Sequence, residues 1–270
     1  MKANCILLTG ANGKVARQVR PHLASLCTEL RLTDIVPFKA SLSNESVHVA
    51  DLADARTLPA LTRGVDAIVH FAGYPREVDW SVLLDANLRT AINLWEGALA
   101  AGVQRIVYAS SNHAVGYYPR TDRIDARSPP RPDSRYGVSK VFMEALASMY
   151  ADKHGLRAMG LRIGYCGSEP TEARMLSHWV HPDDLAQLIE LGLTADYHHE
   201  IVYGVSANSA TWYDNRRAEV LGYRPRHSAD RWAQALAAVR SDDPVAERYQ
   251  GGSFAAAGHA GDPERPARAR

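Results

Sequence analysis

Two side chains suited to proton transfer lie four residues apart in the segment YGVSK. At that spacing Tyr136 and Lys140 would share one face of a helix. A Tyr hydroxyl is a poor base at neutral pH because its pKa is about 10, whereas a neighbouring ammonium favours the phenolate. The pair therefore indicates acid–base catalysis, with Tyr136 as general base and Lys140 as its partner.

A run of hydrogen-bonding side chains precedes this pair in the segment YASSNHAVGYYPR. Ser111, Asn112 and His113 follow RIVYA, which is apolar and β-branched as a buried strand should be. These groups could face water, bond the backbone of a turn, or contact a ligand. Ser111 stands at a strand end 25 residues upstream of Tyr136, and this strengthens the catalytic interpretation of Tyr136 and Lys140.

A glycine-rich turn, TGANGKVA, follows the first apolar segment and opens a helical pattern. Gly10 permits the tight turn, Gly13 lets the backbone approach a pyrophosphate, and Ala16 is small enough for the helix to pack on the sheet. The helix N-terminus supplies N–H groups for the phosphate charge. We predict that the turn binds a dinucleotide through Gly10, Asn12, Gly13, Lys14 and Val15.

Polar and small residues at the next strand ends extend this predicted cofactor site. A carboxylate at Asp34 would accept hydrogen bonds from the adenosine ribose and repel a 2′-phosphate, which favours NAD over NADP. Lys14 is the opposing signal, since its cation could serve NADP or only the pyrophosphate. Asp51 is placed to meet the adenine amino group. The remaining predicted cofactor contacts at strand ends are Leu52, Phe71, Ala72 and Gly73.

Short apolar runs alternate with helix-length segments along most of the chain, which indicates βαβ units and a parallel sheet covered on both faces. The predicted fold class is α/β, a Rossmann-type doubly wound parallel sheet with a small C-terminal substrate-binding portion. We expect one NAD-binding domain over 1–240, with substrate-binding elements mainly in 165–240. Residues 241–270 read as a C-terminal extension whose end, GDPERPARAR, is predicted to be mobile.

Composition narrows the classes of partner. The chain has 31 basic and 30 acidic residues, so no net field attracts nucleic acid or an anionic membrane. No apolar run reaches the roughly 20 residues that cross a bilayer. The three cysteines are scattered and suit neither a disulfide framework nor a metal cluster. We therefore expect a cytoplasmic protein with no metal, no nucleic-acid partner and no membrane partner.

Together the glycine turn, Ser111, Tyr136 and Lys140 resemble the short-chain dehydrogenase/reductase superfamily, in its extended, epimerase-like branch. The resemblance implies that Ser111, Tyr136 and Lys140 form a catalytic triad. The hydroxyls of Ser111 and Tyr136 would bond the substrate hydroxyl, and Tyr136 would take its proton. Lys140 would also hold the nicotinamide ribose, and hydride would pass to the nicotinamide. Because long helices in this branch often pack across a two-fold axis, the resemblance also implies a homo-oligomer.

A more specific resemblance covers about residues 4–254. The segments DLADA, SSNHAVGYYPRT, RPDSRYGVSK, ARMLSHW, GVSANSATWYDN and YQGGSF are similar, in order, to the uronate dehydrogenase family. That family oxidises C1 of cyclic galacturonate or glucuronate with NAD and gives an aldarolactone. The resemblance implies a sugar-acid substrate contacted by Ser111, Asn112 and His113, with Arg174 pairing with its carboxylate. A planar guanidinium suits a carboxylate because it can bind in bidentate fashion.

Two positions depart from the family pattern. The family segment GG-[IV]-S is AGYP here, which places Pro75 at a position that contacts substrate and removes both a hydroxyl and an N–H donor. The family segment RIGSC is RIGYC here, so that Tyr165 replaces a small hydroxyl residue. We expect both residues to line the substrate pocket and to change its shape.

Three other hypotheses share this fold. The same triad could oxidise a different sugar or alcohol, as the changes at Pro75 and Tyr165 suggest. The chain could be a nucleotide-sugar epimerase or dehydratase with tightly held NAD, although such enzymes usually have a longer C-terminal region. A dinucleotide-sensing regulator without catalysis is the third, and the intact triad argues against it.

Overall fold

The structure is a computed structural model that describes residues 3–262. Its strands, in chain order, are β1 Ala3–Thr9, β2 Cys27–Asp34, β3 Glu45–Val49, β4 Ala67–His70, β5 Arg105–Ser111, β6 Ile124–Asp125, β7 Arg157–Ile163, β8 Tyr165–Cys166, β9 Trp179–Val180, β10 His199–Gly204 and β11 Tyr213–Asp214. Its α-helices are α1 Lys14–Ser25, α2 Leu58–Thr62, α3 Trp80–Leu83, α4 Thr90–Ala100, α5 Arg135–His154, α6 Met175–His178, α7 Pro182–Thr194, α8 Arg216–Leu221, α9 Ala233–Leu236, α10 Pro244–Arg248 and α11 Ser253–Ala256. Short 3-10 turns cover Ala55–Thr57, Asn112–Val115 and Ala229–Trp232, and Leu84–Arg89 is π-helical.

The main sheet of the described residues has seven strands in the order β10-β7-β5-β4-β1-β2-β3, all parallel. The chain moves outward from β1 to β3 on one side and then returns to β4 on the other side. This reversal beside β1 is the switch point at which doubly wound sheets bind ligands, outside the carboxyl ends of their strands. The predicted Rossmann-type doubly wound sheet is confirmed.

Strand β1 shows why its sequence is continuously apolar. Ile6 and Leu8 belong to one buried core cluster, together with residues of α1 and α7. Cys5 and Leu7 belong to a second cluster, together with residues of α4 and α5. Because successive side chains point to opposite faces of a strand, a strand with helices on both sides must be apolar at every position.

The helical region between β4 and β5 is interrupted. It consists of α3, the π-helical segment Leu84–Arg89, and α4. The π-helical turn carries the buried Asn87, whose Oδ1 accepts from the Tyr74 N–H at 2.6 Å and whose Nδ2 donates to Ser139 Oγ at 2.8 Å. The interruption therefore ties the loop after β4 to α5.

The segment RAMGLRIGYC, residues 157–166, forms two separate strands. Strand β7 ends at Ile163, and β8 leaves the main sheet to pair with β9. Gly164 makes the division possible, because a Cβ at this position would lie 1.7 Å from the carbonyl oxygen of His178. The sequence from Tyr165 onward is thereby directed away from the sheet.

Part of the predicted C-terminal extension is packed against the body of the protein. Helix α10 is held by Arg120, whose Nη1 lies 2.8 Å from Glu247 Oε2. Helix α11 follows directly and carries Phe254 to the site described below. The boundary at residue 240 stays a prediction, and the expected mobile end from residue 263 onward lies outside the described residues.

The helices and the cysteines bear on where the protein can reside. Among the helices within residues 3–262, none is both long enough and apolar enough to traverse a membrane. Cys5, Cys27 and Cys166 are all buried thiols. Burial raises the pKa of the Cys5 thiol to about 11 and that of Cys166 to about 12, so both stay protonated and unreactive at neutral pH.

Candidate active site

The glycine turn packs directly against the end of β4. Gly10 has φ +64°, and a Cβ there would lie 2.6 Å from the backbone nitrogen of Ala72. Only glycine satisfies both conditions without strain. The turn and the strand end therefore form one continuous wall.

A cavity of about 450 Å³ opens along this wall. Its lining includes most of the predicted cofactor residues, namely Gly10, Gly13, Asp34, Asp51, Leu52, Phe71, Ala72 and Gly73. Asn12, Lys14 and Val15 lie in the same turn but are not among the residues that line it. The sequence analysis missed other lining residues, which include Thr33, Ile35, Tyr74, Ser81, Val82 and Thr90.

Asp34 connects the second strand to the glycine turn. Its Oδ2 accepts from the Asn12 N–H at 3.0 Å, and its Oδ1 accepts from the Val36 N–H at 3.2 Å. The carboxylate is half-buried, with lone pairs remaining on both oxygens. It can therefore hold the turn in place and still accept hydroxyl donors from a ligand.

These features fit the adenosine half of a dinucleotide. The cavity offers carboxylates at Asp34 and Asp51, an apolar wall, and a glycine turn at the start of α1. It is also lined by Thr33, whose buried hydroxyl has no hydrogen-bond partner among the described residues. A buried polar group without a partner is costly unless a ligand satisfies it.

Helix α5 positions the acid–base pair. Ser134 caps the helix by accepting from the Gly137 N–H at 2.9 Å, and Tyr136 and Lys140 follow on one face, both buried. Lys140 Nζ donates to the carbonyl of Ala109 at 2.8 Å and lies 5.4 Å from the centroid of the Tyr136 ring. The predicted pair is therefore assembled beside the end of β5.

Burial dominates the ionisation of both groups. It raises the pKa of Tyr136 to about 12, although a hydrogen bond from the Ser111 hydroxyl lowers it. It also lowers the pKa of Lys140 to about 8, while the charge of Glu144 raises it. The expectation that Lys140 brings the phenol towards neutrality is wrong for the free protein, because desolvation opposes the phenolate more strongly.

A buried ion pair lies next to the triad. Glu144, one helical turn beyond Lys140, accepts from Arg162 Nε at 2.9 Å and Nη2 at 2.8 Å. The Ser110 hydroxyl donates to the same carboxylate at 2.5 Å. Ser110 and Arg162 are register partners on β5 and β7, so the pair fixes the strand end that carries Ser111.

The polar residues at the end of β5 lead into a 3-10 turn over Asn112–Val115. A turn was one of the alternatives that the sequence left open for these residues. Ser111 Oγ accepts from the His113 N–H at 3.2 Å. His113 Nδ1 lies 2.7 Å from Asp133 Oδ2. With its amide oriented to satisfy both ends, Asn112 donates to the carbonyl of Ile163 at 3.2 Å and accepts from Arg174 Nη2 at 3.2 Å.

Arg174 is brought to this same strand end from the segment before α6. Its side chain is 12% exposed, and burial lowers the pKa of its guanidinium. Nε donates to the carbonyl of Gln250 at 2.8 Å, and Nη1 lies 3.7 Å from Glu172 Oε1. The structure thus places Arg174 beside Asn112, whereas contact of either residue with a substrate stays a prediction.

The two departures from the family pattern lie in different places. Tyr165 is half-buried, and its hydroxyl accepts from Lys14 Nζ of the glycine turn at 3.4 Å. Pro75 is exposed, in the loop between Tyr74 and Glu77. Glu77 from this loop accepts from the Tyr136 N–H at 3.0 Å, so the loop reaches the start of α5.

The C-terminal segment adds residues that the sequence analysis quoted within YQGGSF but assigned no role. Phe254 stacks on the His113 ring, with centroids 3.9 Å apart, and meets the Tyr136 ring edge-on at 5.9 Å. Gly252 has φ +63°, and a Cβ there would lie 2.5 Å from Arg174 Nε. Asp133 was also missed. Of these residues, only Asp133 could have been noticed from its neighbours in the sequence, because it directly precedes Ser134, the N-cap of α5.

The chain is similar to known proteins over most of its length. The model of the NAD dependent epimerase/dehydratase family matches residues 6–181. The chain is 44% identical to the uronate dehydrogenase of Pseudomonas putida over 94% of this chain and 97% of that protein.

Two solved structures are similar over nearly their whole length. The glucuronic acid dehydrogenase of Chromohalobacter salexigens superposes with a TM-score of 0.90 at 43% identity, covering 97% of this chain and 98% of that chain. A variant uronate dehydrogenase of Agrobacterium tumefaciens complexed with NAD also gives 0.90, at 40% identity over 94% and 97% of the two chains. The chain therefore belongs to the NAD dependent epimerase/dehydratase family, within its uronate dehydrogenase group.

Proposed function

We propose that the chain oxidises the C1 hydroxyl of a cyclic uronic acid, D-galacturonate or D-glucuronate, with NAD and forms the aldarolactone. The observation that carries the proposal is the position of Arg174. Its guanidinium meets Asn112, the residue directly after Ser111, and the Ser111 side chain is hydrogen-bonded to Tyr136. A cation and an acid–base group at one strand end suit a sugar acid.

Arg174 supplies the recognition of the carboxylate. A buried guanidinium is weakly screened, so its attraction for an anion is stronger than at the surface. Nε and Nη2 already bind protein groups, and these contacts fix the plane of the fork. Nη1 is 3.7 Å from Glu172, longer than a hydrogen bond, which leaves its donors available to substrate.

The proton of the C1 hydroxyl passes to Tyr136. Ser111 donates a hydrogen bond to the same substrate oxygen and holds it in place, while the Lys140 ammonium supports the phenolate that accepts the proton. NAD, when bound, supplies the acceptor for the C1 hydride. Phe254 closes the side of the site beside Tyr136 and limits access of water.

The cofactor is held along the cavity beside the glycine turn. Gly10 and Gly13 leave room for the pyrophosphate at the start of α1, and Asp34 accepts from the adenosine ribose. Asp51, Leu52 and the segment Phe71, Ala72, Gly73 line the rest. Lys14 stands at the pyrophosphate, and Asn12 and Val15 shape the turn.

The test is formation of NADH, followed by its absorbance, with galacturonate, glucuronate and the matching neutral sugars galactose and glucose. We expect activity with the uronates and little with the neutral sugars. Arg174→Ala should raise KM for the uronates by about 10-fold or more while leaving the slow neutral-sugar rate unchanged. Equal loss on charged and neutral sugars would contradict the carboxylate role.

A second candidate is oxidation of a neutral sugar by the same triad. It is favoured by the fact that Arg174 is already bonded to Gln250 and Asn112, and could therefore serve only to hold the C-terminal segment. Higher kcat/KM for a neutral aldose than for either uronate would establish this candidate instead.

We also propose that the chain forms a homo-oligomer through α3–α5. Large apolar side chains are exposed along these helices, and they include Trp80, Leu84, Ile92, Val138 and Met149. Apolar side chains gathered in this way mark association surfaces. A second copy is the simplest occupant, because α4 and α5 can present the same face to each other across a two-fold axis. Light scattering should report a multiple of the chain mass, and Ile92→Glu should reduce it.

A cytoplasmic location completes the proposal. Three buried thiols suit a reducing compartment, where cysteines are kept reduced. Cell fractionation with an antibody to the chain tests it, and recovery in an oxidising compartment would contradict it.

A further inference from the structure

His113 is paired with a buried carboxylate that no substrate would reach. His113 Nδ1 lies 2.7 Å from Asp133 Oδ2, where the side chain of His113 is 13% exposed and that of Asp133 is fully covered. A buried carboxylate is tolerated only when its lone pairs meet donors. Nδ1 must therefore present a proton to Asp133.

The carboxylate is held rigidly from its other sides. The Ser134 hydroxyl donates to Asp133 Oδ1 at 2.7 Å. Gly116 and Gly251 flank Oδ2 so closely that a Cβ at either position would lie 1.8 Å from it. Asp133 thus has one available position, and the two glycines leave the space for it.

The His113 ring is fixed by aromatic neighbours as well. Phe254 stacks on one face at 3.9 Å with an interplanar angle of 22°, and Tyr136 meets the ring edge-on at 5.8 Å. Nε2 points away from Asp133, since it lies on the other side of the ring. Within residues 3–262 it has no hydrogen-bond partner, and it is not sealed from solvent.

We propose that Asp133 is a positioning residue that holds His113 as the Nδ1–H tautomer, so that Nε2 is a hydrogen-bond acceptor for a ring hydroxyl of the substrate. The opposite tautomer would set the bare Nδ1 lone pair against a carboxylate at 2.7 Å, which is repulsive. This inference rests on the proposed function in one respect, namely that the substrate is a ring that carries hydroxyl groups.

An acceptor at this place makes the site selective. A substrate hydroxyl can donate to Nε2, whereas a deoxy or O-methyl group at that carbon leaves the acceptor unpaired. Sites built to bond a hydroxyl reject analogues that lack it. Asn112 beside it is held by Ile163 and Arg174, whereas Nε2 of His113 has no hydrogen-bond partner among the described residues.

The tautomer is measured without substrate, by nitrogen-15 NMR of the histidine side chains, with His113 assigned through a His113→Gln variant. The spectra are recorded at a pH where the ring is neutral, and we expect its proton on Nδ1 and none on Nε2. A neutral ring with its proton on Nε2 overturns the proposal. Because this arm needs no turnover, it stands even if the chain oxidises no uronate.

The second arm uses kinetics with Asp133→Asn and a set of monodeoxy uronates. We expect KM for the parent uronate to rise on the order of 10- to 100-fold, with KM for NAD unchanged. The one deoxy sugar that the wild-type protein discriminates against should be discriminated against no longer. Retained discrimination by Asp133→Asn overturns the proposal.

The matched control is Asp152→Asn, which makes the same change in an exposed His–Asp pair. Asp152 Oδ1 lies 3.0 Å from His198 Nε2, with both side chains more than half exposed. It should leave all of these values unchanged. If Asp133→Asn does not fold, His113→Ala takes its place and should lose the same discrimination, and its failure to do so overturns the proposal.

Discussion

Lys14 Nζ lies 3.4 Å from the hydroxyl of Tyr165 and 4.9 Å from the centroid of its ring. Lys14 begins α1 at the glycine turn, whereas Tyr165 begins β8 beyond the end of β7. The two residues therefore connect the glycine turn with the segment that follows β7. Tyr165, expected at the sugar, contacts the cofactor turn.

Tyr165→Ser should therefore affect the cofactor more than the sugar. Serine is too short to reach Lys14, and we expect KM for NAD to rise about 3- to 10-fold, with a smaller change in KM for the uronate. Tyr165→Phe keeps the ring beside the Lys14 ammonium, and its KM for NAD should lie between that of the wild type and that of Tyr165→Ser. Steady-state kinetics with each substrate varied in turn provides the measurement. A larger effect on the uronate would place Tyr165 in the sugar pocket after all.

Asp34→Ala should weaken NAD binding and reduce the preference over NADP. The variant loses the ribose acceptor and also the bond to the Asn12 N–H at 3.0 Å, so the turn loosens. We expect the ratio of kcat/KM for NAD to that for NADP to fall about 10- to 100-fold. Asp34→Asn separates the causes, because it can still accept from Asn12 but carries no charge to repel a 2′-phosphate. An unchanged ratio in both variants would exclude Asp34 from cofactor choice.

The sheet and the cofactor half of the site were predictable because they rest on local signals. Alternating apolar and helical segments define β1 to β5, and Gly10 and Gly13 mark the turn between β1 and α1. The spacing of Tyr136 and Lys140 follows from helical geometry alone. Each of these features is encoded within a few residues, so the sequence carries it directly.

The substrate half could be predicted only in part, because long-range packing determines it. Phe254 contacts His113 although more than a hundred residues separate them in the chain. Gly252 packs so closely against Arg174 that no Cβ fits between them. No periodicity links such positions. The pKa of Tyr136 was mispredicted for the same reason, since burial depends on what packs over the helix face and outweighs the neighbouring Lys140.

Tyr136→Phe should abolish most turnover while leaving the fold and NAD binding intact. The phenol is the proposed base, and loss of such a group typically lowers the rate about 10²- to 10⁴-fold. Since burial raises the pKa of Tyr136 to about 12, the wild-type kcat/KM should increase with pH through the neutral and alkaline range, as the base form becomes populated. The variant's residual rate should lack this increase. A pH profile of the two proteins decides the matter, and an identical slope in both would assign the base elsewhere.

Lys140→Met should change how stability depends on pH. The folded-state pKa of Lys140 is about 8, below its usual 10.5, so between these values the unfolded chain binds more protons than the folded one. Lys140 should therefore make the stability of the wild-type protein rise with pH from about 8 upward. Lys140→Met lacks the buried ammonium, and its stability should lack this rise and be higher than the wild type's at neutral pH, by on the order of 2 kcal/mol.

Urea unfolding of the free protein at neutral pH and again at a pH just below 9 measures this difference. The upper limit matters because the buried thiols of Cys5 and Cys166, with their raised pKa values, act in the opposite direction above their usual value of 9, and Tyr136 does so above its usual value of 10. A wild-type stability that falls with pH over this range would contradict the assignment to Lys140.

The buried pair of Glu144 and Arg162 should respond differently to single and double replacement. Arg162→Met alone leaves the Glu144 carboxylate buried with only the Ser110 hydroxyl as donor, and should lower the free energy of unfolding by about 3–5 kcal/mol. Glu144→Leu with Arg162→Met removes both charges and fills the space with apolar side chains, so most of that loss should be recovered. Urea unfolding of the two variants measures the difference. Because Ser110 loses its acceptor in the double variant, the strand end at Ser111 should loosen, and kcat should fall even though stability returns. Recovery of stability together with full kcat would show that the ion pair serves the core alone.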